Sequence, residues 1–319
     1  MSSSSATLID LLRHMPAFAG MTGFFACRDI KVASVGSELT RRVAASAMVL
    51  AVMLGWPADT LGEPPAPVPA KRLIATSPHL TELVYYAGAG DLLVGVAPFA
   101  DYPPAARALP IVGGPGGLNI EAILEMRPDR VLIWESGTPA WQVERLRSVG
   151  IHVWVSEIRR LEDIPAWLQR FGNITGRERA AGAAARKFNA RLHALERHAQ
   201  GRTPRRVFLQ VLDRSLYTFS DRHVVSDVLR RCGGRNVMGN LPALAPRVEL
   251  ESVLAADPEV IIASGDPLQW EEWRRRWQRY PQLSAVKHGR LVFIPGDFLH
   301  RPGPRLLDGM ERLCAALEG

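Results

Sequence analysis

The chain has 319 residues, of which 47% are hydrophobic and 22% are charged, so it can bury the core of one or two soluble domains. Its net charge of +7 belongs to residues 71–319, because the first 70 residues hold five basic and five acidic side chains. The basic residues are spread along the chain, which favours an ordinary solvated surface over a nucleic-acid-binding face.

Residues 1–38 stand before the segment that has the character of a signal peptide, although a signal should begin the chain. Met15–Gly23 resembles peptides translated from repetitive intergenic DNA. We therefore expect a start codon assigned too early, or otherwise a disordered extension. Phe24–Cys27 has a faint likeness to a lipoprotein box, which is a weaker alternative.

Residues 39–70 have the pattern of a secretory signal peptide and a Pro-rich tether. Arg41 and Arg42 precede the apolar run Val43–Trp56, which is too short to span a membrane and typical of a signal. The two candidate cleavage points follow Gly62 and Ala70. We therefore expect an exported, periplasmic protein.

From Arg72 onward, strand and helix patterns alternate, which is typical of a parallel sheet. The first half is predicted to contain strands at 72–77, 92–99, 130–136 and 152–157, and helices at 78–86, 119–126, 139–149 and 162–171. The second half is predicted to contain strands at 206–212, 259–264 and 290–295, and helices at 224–232, 249–256, 270–280 and 305–317. The helix at 270–280 carries tryptophans on one face and arginines on another, which favours an amphipathic helix.

One uninterrupted helix is predicted over Gly176–Gln200, with Thr175 as its N-cap and Glu178 completing a capping box. Such a helix spans about 37 Å, the width of a small domain. Its apolar residues form one stripe: Ala181, Ala184, Ala185, Phe188, Leu192 and Leu195. Two interpretations remain open, a strut between two lobes or a surface helix of one large domain.

An internal repeat favours two similar lobes. Ile120–Trp134 matches Leu250–Ser264 at an offset of 130 residues, and Glu121 falls on Glu251. The predicted limits are 71–172 for the N-terminal α/β lobe, 173–203 for the helix between the lobes and 204–319 for the C-terminal α/β lobe. Two interpretations of the glutamates remain open. Each carboxylate either interacts favourably with the dipole of its own helix, or is an exposed acid that its lobe presents to a basic, symmetric partner.

No nucleophile elbow, P-loop or HExxH motif occurs in the sequence, and its eight histidines and three cysteines lack the spacing of a zinc site. Gly113–Gly117 is rich in glycine but lacks GxGxxG spacing, and we interpret it as a loop at the edge of a cleft. We therefore expect a binding protein rather than an enzyme, with no cofactor or metal site of its own.

Aromatic residues follow several predicted strands. Phe99 and Trp134 end strands of the first half, Tyr217 lies beyond the first strand of the second half, and Asp297 and Phe298 follow its last strand. Ligands of open α/β sheets sit beyond the carboxyl ends of the strands. The residues either cap the core of each lobe or line a cleft for a large, flat, mostly apolar ligand.

Short segments from Arg72 to Leu317 resemble the periplasmic cobalamin (vitamin B12)-binding proteins of ABC importers. They are Ser77-Pro78, Thr81–Leu83, Asp101–Pro104, Asn119–Glu121, Pro128–Trp134, Arg206–Gln210, Cys232–Gly234 with Asn236, Glu251, Asp297-Phe298 and Pro304-Arg305. The resemblance implies two Rossmann-like α/β lobes with parallel sheets, joined by one long rigid helix, and a ligand cleft between them.

The resemblance also implies roles for single residues. Phe99, Trp134 and Tyr217 would contact the corrin ring, with Asp297 and Phe298 at the edge of the cleft. Glu121 and Glu251 would dock on arginines of the membrane permease, and Cys232 would pair with Cys314. The cobalt would arrive inside its ligand, and the protein would act as a monomer.

The chain departs from the family pattern at two places, where Pro115 and Ala245 replace tryptophans of the pocket. We therefore expect cobalamin or a related corrinoid as the ligand, with haem or a ferric siderophore as the alternative. Two other classes compete with this hypothesis. A two-lobed enzyme would need paired acids or a phosphate loop in the cleft, and a nucleic-acid binder would show steep salt dependence.

Overall fold

The computed structural model describes residues 69–114, 117–211 and 216–318. The predicted extension at 1–38, the predicted signal peptide and Pro115 lie outside the described residues. Within them, short parallel strands alternate with helices as the sequence pattern predicts.

Four parallel strands form the sheet of the N-terminal lobe. They are β1 (Leu73–Ala75), β2 (Leu93–Val96), β5 (Arg130–Trp134) and β6 (Val153–Ser156). Their order in the sheet is β2-β1-β5-β6. The predicted loop at the glycine-rich segment contains an antiparallel pair of two-residue strands, β3 (Gly113–Gly114) and β4 (Gly117–Leu118). The helices of this lobe are α1 (Pro78–Tyr86), α2 (Ile120–Glu125), α3 (Ala140–Ser148) and α4 (Asp163–Thr175).

The sheet of the C-terminal lobe repeats this arrangement. Its strands are β7 (Arg205–Val211), β8 (Gly234–Asn236), β9 (Val260–Gly265) and β10 (Leu291–Pro295). The order β8-β7-β9-β10, all parallel, is the order of the first sheet. The helices are α5 (Glu178–Ala199), α6 (Val224–Arg231), α7 (Leu250–Ala256), α8 (Trp270–Trp277), α9 (Ser284–Lys287), α10 (Gly296–Leu299) and α11 (Leu306–Glu318). The sequence did not predict β8, α9 and α10, because elements of three or four residues are too short to show a period.

The repeat at an offset of 130 residues extends to the backbone. Arg127 and Asp257, the equivalent residues after α2 and α7, both have positive φ angles, of 45° and 39°. Arg72 donates a side-chain hydrogen bond to the carbonyl oxygen of Arg127 at 3.2 Å, and Arg206 does the same to Asp257 at 3.0 Å. The two lobes therefore share hydrogen-bond geometry as well as strand order.

The predicted start of the long helix is wrong. Helix α5 begins at Glu178, and Thr175 is the last residue of α4, where its hydroxyl donates to the carbonyl oxygen of Phe171 at 2.6 Å. Gly176 ends α4 in the left-handed conformation, with φ of 68°. A Thr followed by Glu three residues later matches a capping box, but here the hydroxyl bonds back into its own helix instead.

One core cluster joins both sheets to α5. It contains Leu73 of the first sheet and Val207 of the second. The predicted stripe of α5 is confirmed: Ala181, Ala185, Phe188 and Leu192 are buried, and Ala184 and Leu195 pack against the same cluster. Helix α5 therefore rests on both lobes. Because the core is shared, the lobe limits of 71–172, 173–203 and 204–319 stay a prediction.

A charged cluster ties the two halves together beside α5. Asp227 of α6 accepts the backbone N–H of Leu161 at 3.0 Å and pairs with Arg231 at 3.1 Å. Arg231 also pairs with Glu162, before α4, and with Glu196 of α5. The side chain of Asp227 is buried. Its negative charge is compensated by Arg231 in the second half and by the backbone N–H of Leu161 in the first half.

The predicted amphipathic helix at 270–280 is observed as α8. Trp273 and Trp277 are buried against the second sheet, and both indole N–H groups donate to Gln210, at 2.7 and 2.9 Å. Arg274 and Arg276 pair with glutamates of the same helix. Two arginines of the dense run are therefore paired on the surface of their own helix, and the run is part of an amphipathic helix rather than a basic arm.

Cys232 and Cys314 form a disulfide with their Cα atoms 4.7 Å apart, as the resemblance implies. The bond joins the end of α6 to α11 and closes a separation of 82 residues. No helix among the described residues combines the length and the apolar character needed to cross a membrane.

Candidate ligand cleft

The carboxyl edges of the two sheets lie beside each other. In each sheet all four strands are parallel, so the loops that follow them leave from one edge. The segment after β10 carries Arg301, which pairs with Asp101 in the loop after β2 at 2.5 Å. A ligand between the lobes would therefore contact loops of both sheets, at the place where ligands of open α/β sheets bind.

A buried ion pair connects the lobes at this edge. Glu82 of α1 is fully buried and accepts two hydrogen bonds from Arg305, at 2.9 and 2.6 Å. Arg301 approaches the same carboxylate at 3.5 Å, and the Arg305 guanidinium lies 4.0 Å from the ring centre of Tyr102. Two-point pairing and the ring contact hold Arg305 in one orientation.

Arg301 also orients the predicted acid at the cleft edge. Its guanidinium lies 2.9 Å from the carboxylate of Asp297, on the next turn, and 2.5 Å from that of Asp101. Burial alone would raise the pKa of Asp101, but the hydrogen bond and the charge of Arg301 outweigh it and hold the pKa below its ordinary value. Asp297 is thus linked through one arginine to the opposite lobe.

Phe99 lies beyond the observed end of its strand. Strand β2 ends at Val96, and the Phe99 side chain is 82% exposed in the loop that follows. Its φ angle of 64° is rare for an aromatic residue and costs about 1–3 kcal/mol. The loop therefore holds a large apolar ring in solvent in a strained conformation. The prediction that Phe99 ends the strand is wrong, because the strand ends three residues earlier, at Val96.

Trp134 ends β5, as predicted, and is partly buried. It meets the ring of His79 edge to face, with the ring centres 5.3 Å apart. Phe99 follows β2, His79 follows β1 and Trp134 ends β5, and these three strands are neighbours in the sheet. Because the strands are parallel, the three residues lie at the same edge of the sheet. The remaining surface of Trp134 is available as one wall of the cleft.

The predicted residues of the C-terminal lobe have different environments. Tyr217 is 38% exposed, and its backbone forms bridges with Val211 of β7 and with Arg247. Phe298 packs partly buried against the shared core, with the Arg312 guanidinium 4.7 Å from its ring centre. Tyr217 presents a ring at the carboxyl edge, whereas much of Phe298 faces α11.

The two predicted docking acids occupy equivalent places. Glu121 and Glu251 are the second residues of α2 and α7, and both are exposed. Ala245, one of the two departures from the family pattern that the resemblance implies, is exposed in the loop before α7. The roles of these three residues stay predictions.

Three histidines lie at the same edges, and the sequence assigns no role to them; His79 is buried, whereas His223 and His300 are partly buried. Burial lowers the pKa of His79 and of His223 to about 3, and that of His300 to about 4. His223 accepts the backbone N–H of Val225 at 3.2 Å and so caps α6, and its ring stacks on Phe219 at 3.9 Å. All three rings are therefore neutral near pH 7.

The pair formed by Ser77 and His79 does not have the properties of a nucleophile and its base. The Ser77 hydroxyl lies 3.1 Å from Nδ1 of His79, but a base is effective when its pKa lies near the working pH. Among the described residues, no group of three or more His, Cys, Asp or Glu side chains could hold a metal ion.

The pairing of Glu82 with Arg305 is not among the contacts that the sequence predicts. Both residues stand in segments that carry the family resemblance, but they are 223 positions apart. Their one local signal is a charged residue within the apolar helix pattern of α1, where Leu80, Leu83 and Val84 are also buried. A buried acid in such a pattern needs a basic partner, although the sequence does not say which one.

Comparisons with known proteins agree with this architecture. The model of the family described as "Periplasmic binding protein" matches residues 73–298. The vitamin B12-binding protein of Vibrio cholerae is 34% identical over 252 residues, which cover 79% of this chain and 91% of that protein. The protein of the same name from Photorhabdus laumondii is 35% identical over 246 residues, covering 77% of this chain and 87% of the relative.

Solved structures give the same result. The periplasmic vitamin B12-binding protein BtuF of Vibrio cholerae superposes with a TM-score of 0.74 and 33% identity, covering 79% of this chain and 98% of that one. A periplasmic haem-binding protein of Pseudomonas aeruginosa has a TM-score of 0.67 and 25% identity, covering 78% of this chain and 92% of the other. The match to the family model and the identity to these relatives show that the chain belongs to the periplasmic binding protein family.

Proposed function

We propose that this protein captures cobalamin or a related corrinoid between its lobes, in the periplasm, and delivers it to an ABC import permease. The observation that carries the proposal is the set of partly exposed aromatic rings at the carboxyl edges of both sheets, Phe99, Trp134 and Tyr217. A corrin ring is broad, flat and largely apolar, so rings on both sides would cover its surface. The relatives named for vitamin B12 support this choice of cargo.

The protein needs no metal site of its own for this function, because cobalt is carried inside the corrinoid. Asp297, oriented by Arg301, would face the polar rim of the cargo. Glu121 and Glu251 would dock on basic residues of the permease, one from each lobe. The disulfide between Cys232 and Cys314 suits an oxidising compartment.

Haem or a ferric siderophore is the second candidate. The exposed Ala245, where the family has a tryptophan, removes one stacking surface and changes the shape of the pocket. The haem-binding structure from Pseudomonas aeruginosa has the same fold, so the scaffold suits more than one flat metal chelate.

Calorimetric titration of the exported protein with cobalamin, cobinamide, haem and a ferric hydroxamate siderophore tests the proposal, with Trp fluorescence as a second readout. We expect tight one-to-one binding of cobalamin. If haem or the siderophore binds and neither corrinoid does, the proposed transport role stands but the proposed cargo is wrong. Silence toward all four compounds would contradict the proposed function.

A further inference from the structure

The loop after β9 lies between the two predicted contact regions of the C-terminal lobe. In the sheet order β8-β7-β9-β10, β9 stands between β7, which leads to Tyr217, and β10, which leads to Asp297. A Cβ atom added to Gly296 would lie 3.6 Å from the Cα atom of Gly265, so the β9 and β10 loops touch. A ligand that contacts both Tyr217 and Asp297 would pass over the β9 loop.

This loop presents an apolar residue in a fixed conformation. Leu268 is 91% exposed, and burying such a side chain against a ligand is favourable. The carboxylate of Asp266 accepts the backbone N–H of Leu268 at 2.9 Å and begins a 3₁₀ turn over Pro267–Gln269. The loop is therefore ordered by its own hydrogen bond and holds the leucine outward.

Behind the loop is a recess with an aromatic lining. Trp270 stacks on Trp273 with the ring centres 5.2 Å apart, and Phe293 of β10 lies 5.7 Å from Trp270. The mouth of the recess carries Asp266 and the amide of Gln269. The space inside is only about 20 Å³, enough for one water-sized group, so it admits the terminal group of a ligand side arm but not the whole arm.

The charge at the mouth selects the polar group. Among the described residues, no cation forms a salt bridge with Asp266, and its hydrogen bond to the backbone of Leu268 uses Oδ1, so Oδ2 can accept a further donor. A primary amide on the arm would donate a hydrogen bond to it, whereas a carboxylate would be repelled.

We propose that the β9 loop and the recess bind an amide-bearing side arm of the cargo, with Leu268 packing on the arm and Asp266 accepting its amide N–H. This inference rests on the proposed function and narrows it. Corrinoids carry primary amides around the ring, whereas haem carries carboxylates. The recess would make Asp266 a specificity-determining residue for amidated over carboxylated cargo.

The monocarboxylic acids of cyanocobalamin, in which one amide is hydrolysed, are the probes. The exported wild-type protein should bind at least one of them about tenfold more weakly than cyanocobalamin. The Asp266→Asn variant keeps a side-chain acceptor for the loop. It should bind that acid and cyanocobalamin with nearly equal affinity, so that the ratio of the two affinities is close to one. Leu268→Ala should weaken cyanocobalamin itself by roughly tenfold.

Asp91→Asn is the matched control, because it removes an exposed carboxylate before β2, at the opposite edge of the other sheet. It should leave every ratio unchanged. If cyanocobalamin binds but no acid is discriminated, or if Asp266→Asn changes no ratio, the inference is overturned and the proposed function stands. If wild type does not bind cyanocobalamin, the proposed cargo falls, and the inference falls with it.

Discussion

Glu82 and Arg305 form a buried, two-point ion pair that joins the two lobes. The carboxylate of Glu82 is fully buried and accepts hydrogen bonds from Nε and Nη2 of Arg305, at 2.9 and 2.6 Å. Removing one member of such a pair leaves the other charge buried without compensation. The pair therefore couples the stability of the fold to the geometry of the site.

Replacing Glu82 with Gln should lower the free energy of unfolding by about 3 kcal/mol or more, because Arg305 loses its countercharge. Denaturation in urea measures the change. Glu144→Gln is the control, because Glu144 is 69% exposed and pairs only with Arg147 on its own helix among the described residues. That variant should change stability by less than about 0.5 kcal/mol. Equal stabilities of the two variants would contradict the structural role of Glu82.

Breaking the disulfide should destabilise the protein strongly. Its loop closes a separation of 82 residues, and the chain-entropy model gives about 4–5 kcal/mol for the bond. Unfolding of a variant with Cys232→Ala and Cys314→Ala, compared with oxidised wild type, measures this contribution. Reduced wild type should match the variant, and a variant as stable as the oxidised protein would exclude a stabilising role for the bond.

Trp134→Ala should weaken cargo binding by roughly tenfold or more, because it removes one wall of the cleft and an edge contact with His79. Titration with cyanocobalamin measures the loss. Trp134→Phe is the matched control, since it keeps an aromatic face and should retain most of the affinity. An unchanged affinity in the alanine variant would move the ligand away from β5.

Charge reversal at Glu121 and Glu251 should abolish transport and leave cargo affinity unchanged, because both acids are exposed on helices α2 and α7. Uptake of labelled cargo into cells or permease vesicles is the measurement. Glu144→Lys reverses another exposed acid, on α3, and should transport normally. A parallel loss of affinity would show that the two glutamates act on the ligand rather than on a partner.

Three histidines with lowered pKa values predict that stability falls as the pH drops. Burial lowers the pKa of His79, His223 and His300 from 6.5 to about 3, 3 and 4. Between pH 6.5 and pH 4 the unfolded chain binds protons that the folded chain does not, so stability rises with pH there and is complete above pH 6.5. Going from pH 7 to pH 5 should remove about 2 kcal/mol per histidine, measured by urea titration at both values.

His223→Asn isolates one of these contributions. An asparagine oxygen can accept the backbone N–H of Val225 and keep the cap of α6, but it does not titrate. The loss between pH 7 and pH 5 should shrink by about 2 kcal/mol in this variant. If the variant loses as much stability between pH 7 and pH 5 as wild type does, His223 is already charged at pH 5 in the folded protein.

The sequence predicted the strand and helix alternation well, because buried parallel strands are short apolar runs and the helices have apolar stripes. The observed strands β5 and β9 fall within one or two residues of the predicted ones. The predicted N-cap at Thr175 is wrong because two hydrogen bonds compete for its hydroxyl. The group can cap the following helix or bond back to a carbonyl oxygen of its own helix, and the sequence fits both. Elements such as β8 and α9 have too few residues for a pattern.

The candidate site was less predictable. Strand-end residues such as Trp134 follow from topology, because the carboxyl ends of parallel strands share an edge. The partners of Glu82 do not, since the contact joins helix α1 to Arg305, which precedes α11 and lies 223 positions away in the chain. The left-handed conformation of Phe99 is also invisible in the sequence, because no glycine marks the position.

The shared core has a consequence for how the chain can be divided. Helix α5 buries Phe188 and Leu192 in a cluster that contains strands of both sheets. Neither half of the chain could therefore form this apolar core without the other. A fragment that ends on either side of α5 would expose this stripe and aggregate rather than fold. Exchange of one lobe between relatives would succeed only if the matching face of the helix moved with it.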